Sequence, residues 1–148
     1  MAKRIERVTK SVREILDDLL AGHQEARLRG AGQGLKYLER TLSEQGSLPN
    51  AVKGAAFSLL AEERALAQDW EGTAEAVQAF LRHLPSLEED LGHGYRRFLE
   101  GSTALERGVQ ALTELADFHG ALELCDRAIA LDLGAHWEAK RDSLAWAR

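Results

Sequence analysis

Five histidines and a single cysteine are the side chains best placed by type to do chemistry in this chain. The histidines are His23, His83, His93, His119 and His136. None lies in a Cys/His cluster or an HExxH pair, which structural and catalytic zinc sites require. His119 and Glu123 are spaced to share one helix face and could touch one ion, but two ligands do not make a site; a solvent-exposed pair is expected. Carboxylates cluster at Glu62-Glu63 and at Glu88-Glu89-Asp90. Paired carboxylates do acid–base work only where a cleft drives their pKa values apart. Neither cluster has sequence neighbours that would do so, and the second reads as favourable charge at a helix N-terminus. Cys125 sits between Leu122 and Ile129 on an apolar face, as a buried and inert thiol would. Gly30, Gly32 and Gly34 follow a predicted helix rather than a strand, so the dinucleotide-binding fingerprint fails on context. No cofactor, no metal and no enzymatic activity are expected.

Those residues must be positioned by helices. The 148 residues carry two prolines, 45% hydrophobic and 29% charged side chains, the balance of an ordinary globular chain. Abundant Ala, Leu, Glu and Arg favour helix, and scarce β-branched residues argue against a sheet. One domain is expected over 1–148. A lone cysteine excludes an internal disulfide and suits a reducing compartment, so the expected location is the cytoplasm. The first residues lack the apolar core of a secretory signal, and no run is long enough to span a bilayer.

Apolar periodicity sets the elements. Ile5, Val8, Val12, Ile15 and Leu19 step by threes and fours along an amphipathic helix over 1–29. This seam packs on the rest of the domain or, alternatively, pairs two chains in a homodimer. The glycines at 30, 32 and 34 end the helix. A second helix carries Leu35, Leu38 and Leu42. A third runs from Asn50, read as its N-cap, to Gln68. A fourth starts at Trp70 and stops before Pro85. Ser86-Leu-Glu-Glu89 has the form of a capping box opening a helix toward Glu100. Whether that helix breaks at Gly101 or continues to Ala116 is open. Helices over Ala104–Ala116 and Phe118–Leu131 follow, and Trp137, Leu144 and Trp146 belong to a closing helix over 135–147.

The stretch Asp117-Phe118 to Asp132 carries the clearest signature. Ala121 and Ala128 are small residues seven apart, with Cys125 between them and Leu131-Asp132 at the end. With the helix from Leu105 before it, this segment resembles a tetratricopeptide repeat. A second copy lies at Phe57–Pro85, with Asp69-Trp70 as its turn and Phe57, Leu60 and Ala61 in its first helix. The two turns begin 48 residues apart, where a tandem array uses 34; the surplus is about one helix, the one containing Tyr95. The resemblance implies an all-α fold of antiparallel helical hairpins over 30–132, stacked as a short superhelix or bundle.

It also implies a function: a scaffold or adaptor that holds a partner protein or peptide in a groove lined by the first helix of each repeat. Carried onto this chain, the groove residues are Thr103, Glu106, Gln110, Thr113 and Glu114 in the clearer copy, and Ser58 and Glu62 in the other. Such a lining is polar to acidic and suits a basic or amide-rich partner segment.

The competing class is a nucleic-acid-associated regulator. The net charge is −5, but residues 1–40 carry nine Lys/Arg against six Asp/Glu. Lys3, Arg4, Arg7, Lys10, Arg13, Arg27 and Arg29 could neutralise phosphates. Glu6, Glu14, Asp17 and Asp18 share that helix, and no aromatic stands among its basic residues, so nucleic acid is the weaker expectation.

Overall fold

The computed structural model describes residues 10–44 and 48–147. The described residues form α1 (Val12–Leu28), α2 (Gln33–Glu44), α3 (Asn50–Leu66), α4 (Trp70–Arg82), α5 (Leu84–Leu91), a 3-10 turn (Gly92–Gly94), α6 (Tyr95–Gly101), α7 (Ala104–Glu114), α8 (Phe118–Ala130) and α9 (His136–Ala147). No strand occurs among them. The fold is all-α.

Helix α1 starts where its chemistry directs. The Ser11 hydroxyl accepts from the Glu14 N–H at 3.1 Å, and the Glu14 carboxylate accepts from the Ser11 N–H at 3.0 Å. This is a reciprocal capping box that satisfies two otherwise orphaned donors. The box expected at Ser86–Glu89 does not form. The Leu87 N–H already bonds the His83 carbonyl at 3.1 Å, so α5 begins at Leu84 and Ser86 lies inside its first turn. Pro85 fits there because first-turn N–H groups have no intrahelical partner. Asn50 is likewise not a cap. Pro49 takes the N-cap position with its carbonyl accepting from Lys53 N–H at 3.0 Å, and Asn50 is the first helical residue.

Hairpins α3–α4 and α7–α8 share one turn, bond for bond. At the first, Asp69 N–H reaches the Arg64 carbonyl and Gln68 N–H the Ala65 carbonyl, both at 2.9 Å. At the second, Asp117 N–H reaches Leu112 at 2.7 Å and Ala116 N–H reaches Thr113 at 3.0 Å. Gln68 and Ala116 both sit at φ 60, a left-handed conformation that costs an L-residue about 1–2 kcal/mol. The following aspartate caps the next helix: Asp69 accepts from Gly72 N–H at 3.0 Å and Asp117 from Gly120 N–H at 2.9 Å. Each cap contributes about 1 kcal/mol.

The hairpins stack in chain order. Helix α3 packs on α1, α2, α4 and α7, α7 packs on α4 and α8, and α9 closes the far end against α8. Gly108 permits the tight α7 contact, since a Cβ there would meet Leu124 at 2.7 Å and Val77 at 3.0 Å. The segment between the hairpins is not the single helix expected toward Glu100. Gly92, at φ 51, breaks it after α5; α6 follows the 3-10 turn, and extended Ser102 separates α6 from α7. Helix α5 folds back on α3, where Gly54 leaves room for His83 and Leu87. Phe80, Leu38, Leu87, Val52, Val77 and Cys125 lie at the centre of the core.

Of the seam read on α1, Ile5 and Val8 lie outside the described residues. Leu19 is 3% exposed in the core, and Val12 and Ile15 pack against it. The described part of the seam therefore packs on its own chain, fully at Leu19 and partly at Val12 and Ile15. The cause is the 3/4 spacing itself, which α2 and α3 satisfy internally.

Candidate functional site

The residues read as groove-lining fall into two groups. Ser58 and Glu62 stand on one face of α3 with Gly54, four residues apart along the helix. That face is already covered. Leu87 of α5 lies against Gly54, the Ser58 hydroxyl meets the Ser102 hydroxyl at 2.6 Å, and Thr103 donates to Glu62 at 3.1 Å. Ser58 is 5% exposed. Its place as an open groove lining is therefore corrected: the chain's own α5–α6 segment and the start of α7 occupy that position. Thr103 joins this contact rather than an open surface.

The second group is on α7. Glu106, Gln110 and Glu114 are exposed. Gln110 accepts from Arg107 at 3.1 Å. The Thr113 hydroxyl donates to the Val109 carbonyl of its own helix at 2.7 Å, which removes it as a donor to a ligand. The accessible face thus consists of Glu106, Gln110 and Glu114.

Next to Glu62, the structure assembles a cluster that sequence reading missed. His23 Nε2 lies 2.8 Å from Glu63 Oε2, with both side chains buried. Arg27 Nε stands 3.3 Å from the same oxygen, and its Nη1 is 3.7 Å from Glu62. Glu62-Glu63 does have a charged neighbour, Arg27, and a hydrogen-bonding one, His23; both come from α1, about forty positions earlier in the chain. Gly34 makes space, since a Cβ there would stand 2.8 Å from Glu63 Oε2. The signal was present in spacing. Leu16, Leu19, His23 and Ala26 are the buried residues of α1, stepping 3, 4, 3, so His23 occupies an apolar position of the stripe. Glu63 does the same after Ala56 and Leu60. Two polar groups on facing apolar stripes announce a buried pair. The cluster ties α1 to α3 and to the start of α7. Its two central side chains are too enclosed to meet a substrate.

No family model, curated protein or solved structure matches this chain.

The remaining chemistry is quickly placed. Among the described residues no three His, Cys, Asp or Glu side chains come together to hold a metal. His119 and Glu123 pair at 2.7 Å on the surface, 81% and 66% exposed. Burial pushes the Cys125 thiol up from its usual range, away from the thiolate a nucleophile needs. Of the basic residues considered for phosphate contact, Lys3, Arg4 and Arg7 lie outside the described residues. Lys10 pairs with Asp18 at 2.6 Å, and this hydrogen bond and charge raise its pKa. Arg27 is held by Glu62 and Glu63. No helix among the described residues is long and apolar enough to cross a membrane.

Proposed function

We propose that this chain is a non-enzymatic helical scaffold of tetratricopeptide-like hairpins, and that it binds a partner protein or peptide along the exposed face of α7. One observation carries the reading. The turns at Asp69 and Asp117 repeat the same left-handed residue, the same carbonyl contacts and the same aspartate cap. Two hairpins built alike and stacked through α3, α4 and α7 present successive first helices side by side, which is how repeat proteins build extended binding surfaces.

The covered face of α3 narrows the surface to Glu106, Gln110 and Glu114 on α7. Its polar, carboxylate-bearing character favours a basic or amide-rich partner segment. A single buried thiol suits a reducing compartment such as the cytoplasm, which fits this reading.

The test is affinity capture from lysate with and without nuclease, comparing wild type with Glu106→Ala/Gln110→Ala. Both side chains are exposed, so the variant keeps its fold. The expected result is a protein retained by wild type and lost by the variant. A partner retained equally by both removes the α7 assignment. Capture of nucleic acid alone, abolished by nuclease, removes the scaffold reading.

A further inference from the structure

Beside Glu106 the surface dips into a small pocket of about 80 Å³. Two or three waters fill such a space, at about 30 Å³ each. A drug-sized ligand needs roughly 300 Å³ or more. The pocket therefore fits the end of one side chain and no cofactor or metabolite.

Its walls come from four helices. Phe80 of α4, Leu99 of α6, Leu105 of α7 and Trp137 of α9 are all buried and give an apolar floor. Glu100 and Glu106 stand at the rim, and His136 closes the side toward α9. The two carboxylates are not equivalent. Glu100 pairs with Arg96 at 3.1 Å, and the Arg96 guanidinium also donates to the Leu131 and Asp132 carbonyls just past α8. Glu106 is exposed and has no ion-pair partner among the described residues.

We infer that this pocket receives a lysine or arginine side chain from the bound partner segment, with Glu106 as the pairing carboxylate. The inference rests on the scaffold reading of α7. The chemistry follows from the two parts of a basic side chain. Its methylene stem gains by leaving water for an apolar wall, while its charged head stays at the rim. There it meets Glu106, while the Trp137 ring, which already has Lys140 Nζ 5.8 Å from its centroid, contributes apolar wall. An acidic side chain is repelled at the same rim. A neutral stem of equal length fills the floor but leaves Glu106 without a counter-ion.

The experiment titrates the full chain with the blocked peptide Gly-Lys-Gly and follows the Trp137 indole N–H by NMR, identified by elimination with Trp70→Phe and Trp146→Phe. Matched peptides with norleucine or glutamate in place of lysine serve as comparisons. The lysine peptide is expected to move the Trp137 signal saturably, the norleucine peptide to move it only at higher concentration, and the glutamate peptide to leave it in place. Glu106→Gln is expected to weaken the lysine peptide by about two- to fivefold. Equal shifts with norleucine, no shift with lysine, or indifference to Glu106→Gln each overturn the pocket. If the lysine peptide does nothing while Glu106→Ala/Gln110→Ala still abolishes partner capture, the pocket falls and the scaffold stands.

Discussion

His23 and Glu63 show how one buried pair can hold two helices in register. Each side chain interrupts an apolar stripe, and each is tolerated because the other stands 2.8 Å away. Removing one partner leaves a buried group with incomplete compensation, which costs about 3–5 kcal/mol; replacing both with apolar residues is often close to neutral. His23→Leu alone should therefore destabilise the protein by about 3 kcal/mol, near the low end because Arg27 still reaches Glu63. His23→Leu combined with Glu63→Met should cost less than the single change. Urea unfolding of the three proteins measures this. A double variant as unstable as the sum of the singles would show that the pair is not coupled.

At the scale of elements, the hairpin turns carry a built-in penalty and a built-in support. Ala116 holds a left-handed conformation with a Cβ, and Asp117 caps the helix that follows. Ala116→Gly should raise stability by up to about 1 kcal/mol, since glycine enters this region without the clash. Asp117→Ala should lower it by about 1 kcal/mol. Thermal unfolding compares them, and a destabilising Ala116→Gly would refute the strain argument. The turn itself was readable in the sequence, because an aspartate before an aromatic is a local capping signal. So were most helix ends, which fall within a residue or two of expectation. The path from Ser86 to Gly101 was not readable. Its break depends on Gly92 taking a positive φ, and glycine tolerates that conformation without announcing it. Ser86 carried a correct local motif, but the helix already starts at Leu84, with the Leu87 N–H bonded to the His83 carbonyl, so Ser86 is a helical residue and not an N-cap.

At the scale of the whole molecule, the all-α stacking was legible from composition and periodicity, whereas the covered face of α3 was not. Ser58 and Glu62 have the right residue types for an open groove. What covers them is decided by where α5 and α6 return, a contact across more than forty residues in the case of Ser58 and Ser102. No periodicity encodes such a distance. Glu106 and Gln110 stay exposed because α9 packs mainly against α8 and leaves this face of α7 uncovered.

That closing helix also places the sole thiol under a lid. Cys125 is fully enclosed between α8 and its neighbours, and α9 packs against α8. A thiol reagent added to the native protein must wait for the structure to part. Its labelling rate, divided by that of an open thiol, should report how often the α8–α9 end opens. Labelling as fast as in denaturant would mean that α9 spends most of its time undocked. Slow labelling that accelerates in proportion to global unfolding would mean that the last helix and the core melt as one unit. The chain thus carries its own clock for cooperativity, and reading it requires no engineered probe.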